Sequence, residues 1–124
     1  MCIRDSEYTA AILNDKVLPI IKIIPSNEFY DFDAKYKSEE TKFLFPELSG
    51  EMTSMISDQV MKSFNALGCK TWARVDFFIS DNSVILLEIN TIPGMTDHSL
   101  VPKAASVYGL SYYQLVLEIM GIDA

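Results

Sequence analysis

The first apolar runs of the chain, "YTAAIL" and "VLPIIKII", read as two strands, Tyr8 to Leu13 and Val17 to Ile24, around an Asn14-Asp15-Lys16 turn. Pro19 interrupts the second strand, which suits an edge position or a bulge. From Pro25 to Ser49 neither period persists, and "FYDFDAKYKSEETKF" within it mixes aromatic and charged residues. Such a stretch is uncommon in a small domain unless functional, so residues 25–49 are expected to form a mobile loop that orders over a ligand. Helical spacing then takes over. Met52, Met55, Ile56, Val60, Phe64 and Leu67 form one apolar stripe, with Ser49 placed to cap the helix and Gly68 to end it. The methionines of this helix, with Met120, are expected to fill the core.

Thr71 to Ile79 and Val84 to Asn90 predict a hairpin around Asp81-Asn82-Ser83. Two short helices follow the Pro93-Gly94 turn. The second carries a capping box at Ser111 and Gln114, a hydrophobic staple at Leu110 and Leu115, and a closing Gly121. No internal repeat or low-complexity tract interrupts the pattern. The expected fold class is α+β, a mainly antiparallel sheet with helices packed on its one apolar face.

Side chains alternate across a strand, so Ala73, Val75, Phe77 and Ile79 share one face while Trp72, Arg74, Asp76 and Phe78 share the other. In the partner strand Ile85, Leu87 and Ile89 line one face, and Val84, Leu86, Glu88 and Asn90 the opposite one. If the loop has three residues, Ser80 pairs with Val84, Asp76 lies opposite Glu88, and Arg74 opposite Asn90. A two-residue loop would set Asp76 against Leu87 and scatter the polar residues over both faces. The chemistry therefore predicts an odd-numbered loop, or a bulge with the same effect.

Two carboxylates directly across a hairpin repel each other unless a cation lies between them. Asp76, Glu88 and Asn90 offer hard oxygen donors suited to Mg²⁺, and no His or Cys accompanies them to favour zinc. A solvated strand end with its charges in water is the alternative. Arg74 speaks against it, since a guanidinium beside bound carboxylates can hold a phosphate or oxyanion. Gly94 allows close backbone approach and its N–H can meet a developing negative charge; Ser99 stands where a helix start would receive an anion.

Composition narrows the picture. With 124 residues the chain suffices for one small domain, and a net charge of -7 with no basic stripe argues against a nucleic-acid partner. No apolar run approaches the ~20 residues that span a bilayer, and no signal peptide is visible, so no membrane partner is expected. Cys2 and Cys69 lack metal-type spacing, which fits a reducing, cytoplasmic setting.

"ARVDFF", "LLEINTIPGMTDHSLVPKAA" and "FYDFDAKY" resemble the C-terminal part of D-alanine–D-alanine ligases, enzymes of the ATP-grasp class, over Glu7 to about Met120. The resemblance implies a partial ATP-grasp C-terminal domain over residues 7–124. It further implies that two D-alanines are joined with ATP, through an acyl phosphate, for peptidoglycan. Asp76, Glu88 and Asn90 match the family's magnesium or manganese ligands. Arg74 and the Gly94 backbone match the groups that stabilise the acyl phosphate and the tetrahedral oxyanion. Ser99 and Leu100 match the site for the second D-alanine. Lys35 matches a loop lysine that reaches phosphates and the carboxylate of the second D-alanine, Tyr36 the tyrosine that latches the loop, and Glu7 an acid on the nucleotide ribose.

The family also has an N-terminal domain and a central domain whose glycine-rich loop and lysines hold ATP, and neither matches any part of this sequence. Residues 1–6, "MCIRDS", match nothing in the family and are expected to be a scar or short loop on a truncated frame. As an isolated chain the expectation is an inactive ligase fragment, belonging to an enzyme that is a homodimer when whole. The alternatives are a non-catalytic Mg²⁺-phosphate-binding remnant, or another ATP-grasp carboxylate–amine ligase.

Overall fold

In the computed structural model, which describes residues 6–24, 42–96 and 98–122, the central strand is the first one, β1 (Ser6–Leu13). A turn at Asn14 and Asp15, both at positive φ, folds the chain back, and Leu13 pairs with Lys16. Two residues therefore suffice for the turn expected to take three, as left-handed central residues allow. Pro19 does break the returning strand: β2 (Lys16–Val17) pairs with one end of β1, and β3 (Ile21–Ile24) with the other. β4 (Lys42–Leu44) then pairs along β3, so the patternless stretch up to Ser49 holds a short strand.

Helix α1 (Gly50–Ala66) starts where Ser49 accepts a hydrogen bond from the Met52 N–H at 3.1 Å. It is followed by β5 (Trp72–Ser80) and β6 (Ser83–Asn90), then α2 (Leu100–Tyr108) and α3 (Tyr112–Met120). The sheet runs β4-β3-β1-β5-β6, every described pairing antiparallel.

The core divides along the alternation of β1. Tyr8, Ala10 and Ile12, with Ala73, Val75 and Phe77 of β5, pack on Ile56, Val60 and Phe64 of α1. Tyr8 and Phe77, paired across the strands, stack with centroids 5.6 Å apart. Ala11, Leu13, Leu18 and Ile21 on the opposite side pack on Val101, Ala104 and Ala105 of α2 and Leu115 of α3. Helices thus cover both faces, where one was expected. The α1 stripe ends at Phe64, because Leu67 is the C-cap and 62% exposed; Met120 is likewise outside the core at 65%.

The hairpin follows the bulge solution. Its turn is only Asp81-Asn82, both left-handed, so Ser80 pairs with Ser83 and Phe77 with Leu86. Between Phe77 and Asp76 the register shifts by one, leaving Leu87 as the extra residue and setting Asp76 opposite Glu88, Val75 opposite Ile89, and Arg74 opposite Asn90. The faces expected for Val84 to Leu87 change accordingly. Val84 pairs with Ile79 and packs with the α1 core, whereas Ile85 and Leu87 are exposed by 47% and 44%.

Candidate functional site

The face of the sheet opposite α1 changes from apolar to ionic along its length. Leu13 and Trp72 pair at its covered end, followed by Ala11 with Arg74, Thr9 with Asp76, and Glu7 with Phe78. Glu88 and Asn90 extend the same rows from β6. Glu7, Arg74, Asp76, Glu88 and Asn90 therefore share one surface, as alternation and register require.

Asp76 is the buried member, 7% exposed. Arg74 grips its carboxylate with two parallel bonds, Nε to Oδ1 at 3.1 Å and Nη2 to Oδ2 at 3.2 Å. That fork matches guanidinium to carboxylate and leaves three of the five Arg74 N–H donors uncommitted by it. Burial raises the pKa of Glu7 above its ordinary value, and the negative charges of Asp76 and Glu88 push the same way against the pull of Arg74. One guanidinium thus faces three carboxylates, an imbalance that an added cation corrects.

Fit to Mg²⁺ rests on the donors themselves. Among the described residues no three His, Cys, Asp or Glu side chains are gathered as a metal set. The candidate ligands are two acids and an amide, all oxygen donors, on adjacent register positions. Asn90 Oδ1 already accepts the Ile92 N–H at 3.0 Å, which fixes the amide and keeps one lone pair for a ligand. The set fits a hard cation that shares its shell with phosphate and water.

Beyond Asn90 the chain forms a tight corner. Ser99 Oγ accepts the Thr96 N–H at 2.9 Å and lies 2.8 Å from Thr96 Oγ1, while Ser99 N–H bonds back to Thr96 O. Ser99 is the N-cap residue of α2 by position, yet its side chain makes no cap bond because the turn holds it. A Cβ on Gly94 would come within 3.0 Å of that Ser99 oxygen, so the two residues are in direct apposition. Tyr112 on α3 donates to the Met95 carbonyl and ties the corner to the helix behind it. Leu100 opens α2 and packs on the second core cluster. Lys35 and Tyr36 lie outside the described residues.

Sequence reasoning passed over Thr9, Thr96 and Tyr112. Thr9 was within reach, since it alternates with Glu7 on one face of "EYTAAIL".

The model of the family "D-ala D-ala ligase C-terminus" matches residues 1–121, a span that takes in residues 1–6, which the motifs alone had left outside the family. The chain belongs to this family. The D-alanine–D-alanine ligase of Vesicomyosocius okutanii subsp. Calyptogena okutanii is 48% identical over 120 residues, which is 95% of this chain and 41% of that protein. A crystal structure of the Bacillus anthracis D-alanine–D-alanine ligase superposes with a TM-score of 0.85 at 37% identity, covering 97% of this chain and 40% of that one. The same Bacillus ligase complexed with ATP gives 0.82 over the same shares. The chain therefore spans about two-fifths of these ligase relatives, their C-terminal part.

Proposed function

We propose that residues 7–122 supply the metal and oxyanion half of an ATP-dependent D-alanine–D-alanine ligase. In the whole enzyme, a homodimer of the cytoplasm, the product would be the D-alanyl-D-alanine dipeptide of peptidoglycan. The observation that carries this reading is the placement of Asp76 opposite Glu88, beside Arg74, on strands that lead into the Gly94–Ser99 corner. ATP as co-substrate is supported by the ATP complex of the Bacillus relative.

Asp76, Glu88 and Asn90 would hold Mg²⁺ or Mn²⁺, which supplies charge neutralisation for the transferring phosphoryl group. Glu7 would meet the nucleotide ribose, and Lys35 the phosphates. A carboxylate oxygen of the first D-alanine attacks the γ-phosphorus and ADP leaves, giving an acyl phosphate. Arg74, anchored by its fork to Asp76, directs its remaining N–H donors to that phosphate. Ser99 orients the carboxylate of the second D-alanine beside Leu100, and Tyr36 closes the loop over both substrates. The amine attacks the carbonyl carbon, and the Gly94 N–H receives the oxyanion. Phosphate then departs and the amine loses its proton, completing the peptide bond.

Ligation needs both substrates held together, and the parts that would hold the first D-alanine match nothing in this chain. Alone, the chain is expected to bind Mg²⁺-phosphate without turnover. Phosphate release from ATP and D-alanine is the test: none from the purified chain, and robust release once it is joined to the N-terminal and central domains of a relative. Glu88→Gln in the joined enzyme should abolish that release; an undiminished rate would remove Glu88 from the site. Preference for another amino acid over D-alanine would transfer the chain to a different ATP-grasp ligase.

A further inference from the structure

Thr9 sits in the middle of β1, 1% exposed, directly across from Asp76. Its hydroxyl lies 2.6 Å from Asp76 Oδ1, and the Val75 carbonyl at 3.4 Å is a much poorer partner. An ionised carboxylate has no hydrogen to give, so the hydroxyl is the donor, in a short charge-assisted bond. We propose that Thr9 is a positioning residue for the metal ligand Asp76 and, through Asp76, for Arg74.

Counting lone pairs explains why a third donor is useful. Oδ1 accepts both Thr9 Oγ1 and Arg74 Nε, whereas Oδ2 accepts Arg74 Nη2 alone. With two acceptor sites on each oxygen, Oδ1 is filled and Oδ2 keeps one site open. Thr9 thereby makes the two oxygens unequal and leaves Oδ2 as the atom for a cation. Arg74 alone would not fix this choice, because its bonds treat the two oxygens nearly alike. Threonine suits the task. Its branched Cβ restricts χ1 in a strand, and its place between β3 and β5 denies the hydroxyl any water to bond instead.

The inference deepens the ligase reading and rests on it for the cation, so the test has one arm that needs no metal. In the chain as it stands, the Arg74 Nε–H signal in a ¹⁵N correlation spectrum reports the fork. Thr9→Val keeps the shape and removes the hydroxyl, and should shift or broaden that signal; Thr9→Ser should leave it in place. In the second arm Mn²⁺ is titrated by its paramagnetic signal. Thr9→Val should weaken binding by about tenfold, the lower end expected for a group supporting a ligand, while Thr9→Ser stays close to the parent. In an Asp76→Asn background Thr9→Val should add no further loss, which a merely structural role would not produce. Thr9→Ala carries the same expectations, so a valine variant that fails to fold leaves the outcome readable. A folded Val or Ala variant with unchanged Arg74 signal overturns the proposal. A parent chain that binds no Mn²⁺ sinks the metal reading, while the Arg74 signal still decides for or against Thr9.

Discussion

Asp76 and Glu88 occupy directly opposite positions of β5 and β6, and the ion pair that Arg74 makes among the described residues is with Asp76 alone. The site is thus built against the stability of its own hairpin. Like charges across a strand pair are unfavourable, and Glu88→Gln removes one of them. Without metal, the Gln variant should be more stable than the parent by about 0.2–1 kcal/mol in urea unfolding. With saturating Mn²⁺ the order should reverse, because the parent gains binding energy that the variant lacks. A Gln variant less stable than the parent in EDTA would contradict the arrangement.

Leu87 can be tested as the extra residue. Deleting it closes the ladder with Asp76 still opposite Glu88 and Arg74 still opposite Asn90, so Mn²⁺ binding should survive. Deleting Ile89 instead keeps the bulge but carries Asn90 to the position opposite Val75, and binding should fall sharply. Equal losses in the two variants, titrated side by side, would show that the bulge does more than set register.

Glu7 gives the chain a pH dependence of definite sign. Its folded pKa is raised by burial and by Asp76 and Glu88, so the folded state holds the proton more tightly than the unfolded one. The unfolded state then binds fewer protons, and this contribution to stability falls with rising pH. It is fully present below the usual glutamate value of 4.5 and is lost as pH climbs through the raised value. Glu7→Gln should flatten the urea midpoint against pH in that window and raise it near neutrality. Mg²⁺ should shrink the difference by answering the charges on Asp76 and Glu88.

At the corner, Gly94→Ala should push Ser99 Oγ off the Thr96 N–H, since the new methyl group would stand 3.0 Å from that oxygen. The loss of one such bond is expected to cost about 1 kcal/mol in thermal unfolding. Adding Ser99→Ala removes the offending oxygen, so the double variant should cost less than the two single ones together. Strict additivity would mean that the two residues do not meet.

Local chemistry was the most legible part of the sequence. Ser49, Ser111 and Gln114 cap as read, because a cap is decided by residues three apart. The opposition of Asp76 and Glu88 was also readable, since alternation and one hairpin settle it, although a two-residue turn with a bulge achieves it. Alternation puts Thr9 on the Glu7 face, but its bond to Asp76 escaped because that partner lies 67 residues away and no local pattern sets the β1–β5 register. The second helical layer escaped for a related reason. Only the Ala11–Leu13 end of β1 is apolar on both faces, and only the chain's later course brings α2 and α3 to the far one. Ser99 had the residue type of a cap, but Thr96, in the turn before it, competes for its oxygen and wins.

The bulge that delivers Glu88 also decides what the molecule presents at its rim. Among the described strands β6 ends the sheet, and Ile85, Leu86 and Leu87 stand there more than a third exposed, with the first acidic group of the strand only at Glu88. No lysine or proline guards the row between Ser83 and Leu87. A strand of that character is a template for a second extended backbone, and stacking of like on like begins at such places. The geometry that arms the site at one end of β6 leaves a bare apolar row at the other.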